Sequence, residues 1–321
     1  MTPSTGSGTE ATGPSAQATG PSAQATGPSA QATGPSARTA RRRIVFLDVD
    51  GTILEHGAHI SPSTPAAVRA ARAAGHLVYL STGRSAADIH PVVAEIGFDG
   101  AVTNSGALVT SGGEVIAERP LSPAAADRML TALRSRGIRY FLQTGDGVYA
   151  SDDMAELMRD YAAALEARVQ AGQEVRPEDS LVGLAQRTFP SADEADLSRI
   201  DKAVFVSDHE EGLDELRADL GDEFLIVPGS MPLPGGSNGE ISERGTTKGS
   251  AIELLLAHLG MDAADAVAIG DSWNDVEMFE VCGVAVAMGN AQPELKQLAD
   301  FVTTDVLDHG VANALRRLGL I

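Results

Sequence analysis

The stretch Ile44-Val45-Phe46-Leu47-Asp48-Val49-Asp50-Gly51-Thr52 decides the architecture. Its apolar half reads as a buried strand, and its second half places two carboxylates two residues apart where that strand gives way to a Gly-Thr turn. Residues i and i+2 of a strand share a face, so both acids lean into one crevice at the strand's carboxyl end. Open α/β sheets bind ligands at that end. Adjacent carboxylates repel, and each resists ionising unless a cation or a proton intervenes. The pair therefore asks for a metal, a shared proton, or both. A surface turn rich in Asp and Gly is the alternative, and the buried-strand pattern ahead of it argues against that.

Outward from this stretch, strands and helices alternate as they do around a largely parallel sheet. Ser61-Pro62 opens a helix that Gly75 ends. Leu77 to Leu80 is the next strand, closing on Ser81-Thr82-Gly83-Arg84, and a helix follows to about Ile96. A strand at Ala101 to Thr103 ends in Asn104-Ser105-Gly106. In the last third, a helix runs from Lys248 to Leu259. A strand from Ala266 to Ile269 leads into Gly270-Asp271, another covers Val284 to Ala287, and a final helix begins near His309. Between these halves lie short strands (Arg139 to Gln143, Val148 to Ala150, Lys202 to Val206, Phe224 to Val227) and helices starting near Ser122, Asp152 and Glu210. Pro228 to Gly239 reads as a linker or substrate-facing loop. The expected fold is α/β: a Rossmann-like, doubly wound parallel-sheet core, residues 41–109 and 239–321, with an inserted α/β cap domain, residues 110–238. Residues 11–38 repeat Ala-Thr-Gly-Pro-Ser-Ala-Gln with Arg38 in the last unit, and residues 1–40 are expected to be a disordered tail.

The 321 residues suffice for two compact units, and a hydrophobic content of 43% supports full cores. A formal charge of -20 argues against nucleic acid or an anionic membrane as partner. Cys282, the single cysteine, excludes an internal disulfide and a cysteine-based zinc cluster, and its apolar neighbours suit a buried inert thiol. With no membrane-length apolar run and no signal-peptide core, a cytoplasmic protein is expected, monomeric or weakly homo-oligomeric.

Several scattered residues fall at equivalent structural places. Asp48 and Asp50 end the first strand. Thr82 ends the second, where its hydroxyl and the following amides can donate to an anion. Lys248 opens a helix, the wrong end for a cation unless an anion sits there. Asp271 ends a further strand, with Asn274 and Asp275 just beyond. The carboxylates suit the hard octahedral demands of Mg2+, and the hydroxyl, amide and ammonium suit a phosphoryl group.

These pieces resemble the haloacid dehalogenase superfamily of phosphohydrolases, in its Cof-type branch with an α/β cap. The matching stretches are Asp48-Val49-Asp50-Gly51-Thr52, Ser81-Thr82-Gly83-Arg84, Asn104-Ser105-Gly106-Ala107, Lys248-Gly249 and Gly270-Asp271-Ser272-Trp273-Asn274-Asp275-Val276-Glu277-Met278. Ala287-Met288-Gly289-Asn290-Ala291 and Asp308-His309-Gly310-Val311 agree with the same branch. The resemblance implies a Mg2+-dependent phosphatase acting on a small phosphorylated metabolite. In it Asp48 is the nucleophile that becomes an aspartyl-phosphate, and Asp50 is the general acid/base. Asp48, the backbone carbonyl of Asp50 and Asp271 hold the metal, with Asp275 behind them. Thr82, Lys248, Asn274 and the amides of Val49 and Gly83 bind the phosphoryl oxygens. A phosphotransferase or phosphomutase of the same superfamily, and a non-catalytic sensor of phosphorylated ligands, are the alternatives.

Other residues carry plainer expectations. Asn104 pins the loop behind the site, and Arg84 is a helix-surface charge. His56 and His59 belong to a flap with solvated imidazoles rather than a zinc site. Trp273 walls the entrance or simply packs, and the loop Met231 to Ser237 is expected to be a specificity element.

Overall fold

The computed structural model describes residues 41–55, 59–171, 187–229 and 235–321. The repeat tail, His56 and most of the loop Met231 to Ser237 lie outside them. The chain begins with β1 (Ile44–Leu47), the hairpin β2 (Leu54–Glu55) and β3 (His59–Ile60), α1 (Ser63–Ala73), β4 (Leu77–Ser81), α2 (Pro91–Ala94), β5 (Gly100–Thr103), β6 (Leu108–Ser111) and β7 (Glu114–Glu118). Next come α3 (Pro123–Ser135), β8 (Arg139–Thr144), β9 (Val148–Ala150), α4 (Asp152–Gln170), β10 (Ile200–Ser207), α5 (Gly212–Leu220), β11 (Phe224–Pro228) and β12 (Ser237–Glu243). The last part holds α6 (Lys248–Leu259), β13 (Ala266–Gly270), α7 (Val276–Val281), β14 (Val284–Ala287), α8 (Pro293–Leu298), β15 (Phe301–Val302) and α9 (Gly310–Arg317).

Among the described residues the main sheet has eight strands in the order β15-β14-β13-β1-β4-β5-β6-β7. β1 is central and buried throughout, pairing in parallel with β13 on one side and β4 on the other. Fully burying each of its apolar side chains is worth roughly 1.5–3 kcal/mol, so the core, not local propensity, holds this strand. Val68 and Ala71 of α1, Ile252 and Leu255 of α6, and Val311 and Leu315 of α9 pack into the same core. The chain builds outward from β1 through β4 and β5, then returns by α6 to β13 on the other side. Strand order therefore reverses beside β1, which opens a crevice at the carboxyl ends. The sheet is parallel from β15 to β5, and β6 and β7 extend it antiparallel.

The second sheet, with five strands among the described residues in the order β11-β12-β10-β8-β9, is antiparallel throughout. Along β10, Ala203 and Phe205 join one apolar cluster with Met129 and Leu133 of α3 and Leu216 of α5, while Val204 and Val206 join another with Met154 and Met158 of α4. This period of two covers both faces of the sheet.

Strand pairing crosses both of the boundaries expected at residues 110 and 238. β6 and β7 lie in the main sheet although the sequence reading began the insertion at 110, and β12 lies in the second sheet although that reading ended the insertion at 238. β12 (Ser-Asn-Gly-Glu-Ile-Ser-Glu) is polar and holds a glycine, so it resembles a loop. Pairing with β10 and β11 on both sides makes it a strand. Gly239 is required there because a Cβ would stand 2.6 Å from the Phe205 ring. The helix expected between Arg84 and Ile96 is a single 3-10 turn, Ala86–Asp88, followed by the short α2.

The two sheets meet at Asn104, in the turn after β5. Its amide donates to the Asp201 carboxylate of β10 and, at 3.2 Å, to the Thr144 carbonyl of β8. Burial pushes the Asp201 carboxyl up to about 6; the Asn104 bond opposes the shift, and Glu118, Arg199 and Asp146 add smaller charge effects. Because this value lies above the ordinary ~3.9, the folded state keeps its proton between about pH 4 and pH 6. The associated stability is full below pH 4 and is lost as pH rises through 6. Asp201→Asn has no proton to lose. Its melting midpoint is expected to gain on the parent's from pH 4 to pH 7, and a gap that stays flat in a melting series over that range contradicts this account.

Candidate active site

Asp48 follows β1, its amide bonded to the Ile269 carbonyl of β13 at 3.0 Å. Thr82 follows β4, its amide bonded to Val102 of β5 at 2.9 Å. Asp271 follows β13, so the parallel register delivers all three to one edge. Lys248 opens α6 behind a capping box between Thr247 and Ser250, and its side chain is buried. The Lys248 ammonium donates to Asp48 Oδ1 at 2.7 Å, Asp275 Oδ1 at 2.6 Å and Asn274 Oδ1 at 3.2 Å, which uses its three protons. Asp275 is fully buried, and its Oδ2 accepts the amides of Asp271 and Ser272 at 2.9 and 3.1 Å. It thereby shapes the Asp271 turn and aims Lys248 at once.

The electrostatics are strained. Burial pushes the Asp48 carboxyl up to about 7, and Asp275 and Asp50 add to the rise; the Lys248 charge pulls the other way and is outweighed. Asp271 is pushed up to about 9 by burial and by the charges of Asp48 and Asp275. Burial alone would lower the Lys248 ammonium, but Asp275 and Asp48 override it and hold it above its ordinary range.

Asp50 has its own partner. Arg84 clamps it with two bonds of 2.7 Å, from Nε to Oδ2 and from Nη2 to Oδ1, and donates a third at 3.0 Å to the Asp88 carbonyl. Arg84 is therefore no surface charge, which corrects the sequence reading. A helix there would have carried it outward, and the single 3-10 turn instead leaves it facing Asp50. Asp48 and Asp50 each meet a separate cation, Lys248 and Arg84. Sequence reasoning missed the function of Asn290 as well, whose amide donates to the Gly51 carbonyl at 2.8 Å. Its place in the Ala287 to Ala291 motif was the available signal.

The donor set fits a hard divalent cation. Oxygens of Asp48, Asp271 and Asp275 lie within 4.8 Å of one another, the sole such group of His, Cys, Asp or Glu found among the described residues. Asp271 Oδ1 is buried without a hydrogen-bond partner. Gly51, at φ +81°, leaves the room, since a Cβ there would overlap the Asp271 carboxylate. Both oxygens of Asp275 are engaged by Lys248 and backbone amides, so Asp48 and Asp271 are the freer ligands. His59 is exposed on β3, outside this group. Cys282 is buried and its thiol is pushed up to about 12 by burial, as befits an inert thiol. Trp273 stands half exposed beside the site. No described helix is long and apolar enough to cross a membrane.

The family model for haloacid dehalogenase-like hydrolases matches residues 45–315. Phosphatase YwpJ of Bacillus subtilis is 26% identical over 291 residues, covering 86% of this chain and 99% of its own length. The 5-amino-6-(5-phospho-D-ribitylamino)uracil phosphatase YwtE of the same organism is 27% identical, covering 86% and 98%. The solved structure of a haloacid dehalogenase-like hydrolase from B. subtilis superposes with a TM-score of 0.71 at 26% identity, covering 86% of this chain and 99% of that one. The chain belongs to the haloacid dehalogenase-like hydrolase family. Within it, the chain is an enzyme of the phosphoric monoester hydrolase class.

Proposed function

We propose that this enzyme removes the phosphoryl group from a small phosphorylated metabolite in the cytoplasm, a sugar phosphate or similar monoester, with Mg2+ as cofactor and an aspartyl-phosphate intermediate. The observation that carries this is the convergence of Asp48 with Lys248, Asp271 and Asp275, 200 or more residues further along the chain, on one strand-end crevice. Asp48, Asp271 and the Asp50 carbonyl would hold Mg2+, which supplies positive charge against the phosphoryl oxygens.

Lys248 bonds Oδ1 of Asp48 and leaves Oδ2 to attack phosphorus. As the Asp48–phosphorus bond forms, the ester bond breaks and the leaving oxygen takes a proton from Asp50. Asp50 then removes a proton from water; the new hydroxyl bonds phosphorus, the Asp48–phosphorus bond breaks, and inorganic phosphate leaves. The Arg84 clamp occupies both carboxylate oxygens of Asp50, so one of its bonds must loosen before Asp50 can hand over or take up a proton. Thr82 and Asn274 border the phosphoryl position, with the amides of Val49 and Gly83, neither of which has a partner among the described residues. The second sheet acts as a cap that excludes water and selects the leaving group.

The test is phosphate release from a panel of phosphomonoesters, p-nitrophenyl phosphate included, in Mg2+ and in EDTA. Turnover is expected in Mg2+ alone. Mg2+ is also expected to raise the melting midpoint by binding the folded state, and Asp271→Asn to remove that rise. No release from any ester defeats the proposal, and transfer to an added sugar acceptor without free phosphate would make the enzyme a transferase.

A further inference from the structure

The turn after β5 is unlike any other in the described chain. Asn104, Ser105 and Gly106 take successive positive φ values of 50°, 56° and 109°. Two of the three are not glycine, and such a conformation costs of order 1–3 kcal/mol per residue. It persists because three neighbours hold it. The amides of Asn104 and Ser105 donate to the carbonyls of Arg84 (2.8 Å) and Thr82 (3.1 Å), which fastens the turn to the candidate phosphate loop. Gly106 lies so close to the Thr247 carbonyl at the start of α6 that a Cβ would overlap it. The side chains reach the opposite way, into the second sheet.

There they meet a buried ion pair. Lys202 of β10 and Glu240 of β12 are diagonal neighbours, Lys202 opposing Ser242 and Val204 opposing Glu240. The Lys202 ammonium donates to Glu240 Oε2 at 2.5 Å and to Ser105 Oγ at 3.0 Å, and Ser105 Oγ donates to Glu240 Oε2 at 3.1 Å. The side chains of Lys202 and Glu240 are 1% and 14% exposed. The pair lies directly over Gly83, where a Cβ would fall 3.3 Å from both Lys202 Nζ and Glu240 Oε1. A buried ion pair is a weak source of stability, and apolar residues of similar volume often replace it without loss. What it imposes is register, because few placements of the two sheets satisfy all three groups.

We propose that Ser105, Lys202 and Glu240 are positioning residues: they lock the second sheet over Thr82-Gly83 and hold that loop and the start of α6 in catalytic alignment. The inference rests on the phosphatase reading, with Thr82-Gly83 as the phosphoryl-binding loop. In the transfer step these residues touch neither phosphorus nor the leaving group. Their effect passes through the strained turn, whose backbone is bonded to Thr82 and Arg84 and packed against Thr247.

The experiment compares the parent chain, Ser105→Ala, the pair Lys202→Met with Glu240→Leu, and the triple variant. Each is assayed with Mg2+ and p-nitrophenyl phosphate well below its melting midpoint. The single Lys202→Met is avoided because it strands a buried carboxylate. Misalignment by about an ångström costs up to ~100-fold, so kcat is expected to fall by about tenfold or more in Ser105→Ala and in the pair. KM should stay within about threefold, the pattern of an interaction needed in the transition state and not for ground-state binding. The triple variant should lose no more than the worse of the two, since both act through one contact. A kcat at the parental level per folded enzyme, or losses that multiply in the triple variant, overturns the proposal whatever happens to the melting midpoint. A parent chain that releases no phosphate from any ester defeats the phosphatase reading instead.

Discussion

Asp48→Asn is expected to lower kcat by about four orders of magnitude or more, the scale seen when a covalent nucleophile is removed from a set of residues acting together. The amide matches the carboxylate in shape and its oxygen can still accept from Lys248, so the loss isolates the nucleophile. The same substitution should not destabilise the fold in EDTA at pH 8. Asp48 is pushed up to about 7 by burial, with Asp275 and Asp50 adding to the rise. A folded value above the unfolded one means that stability is full at low pH and is lost as pH rises through 7. At pH 8 the parent therefore carries a penalised charge that the amide lacks. The melting midpoint of Asp48→Asn should equal or exceed the parent's at pH 8, and the advantage should shrink toward pH 4. Residual turnover near the parental rate would remove Asp48 from the nucleophile's place, and a variant much less stable at pH 8 would contradict the electrostatic account.

Lys248→Met is expected to remove both activity and much of the stability. Among the described residues the ammonium is the one cation bonded to Asp48 and Asp275, and its side chain is 1% exposed. Methionine fills a similar volume but leaves two buried carboxylates facing each other. Breaking a buried pair by removing one partner costs about 3–5 kcal/mol. The loss should be largest at pH 8 and partly recovered at pH 5, because protonation relieves the stranded acids. Denaturant melts at the two pH values measure this directly; a loss of the same size at both would mean that packing, and not charge, is what Lys248 provides. In Mg2+, phosphate release should drop by about 100-fold or more, the order associated with losing one preorganised donor to the developing charge.

Asp50, Thr82 and Arg84 divide what could be read from what could not. The acids and Thr82 were legible because each follows an apolar run, and a run buried on both faces ends at the functional edge of a parallel sheet. Arg84 was not, because its pairing with Asp50 depends on a single 3-10 turn after residue 84, in place of a helix, that no periodicity signals. β12 was hidden for a related reason. Its residues are polar, and their strand conformation comes from partners on either side. Lys202 and Glu240 look like ordinary surface charges in the sequence, and only the meeting of two sheets at the Asn104-Ser105-Gly106 turn buries them.

By itself the chain of amino acids determined the alternation of strands and helices, the residue types at the strand ends and hence the family chemistry, because those depend on patterns a few residues long. The tertiary structure decided which acid faces which cation, which strands join which sheet, and how the second sheet is held above Thr82-Gly83. Those contacts join residues tens to hundreds of positions apart, and their geometry exists only once the separate segments have packed.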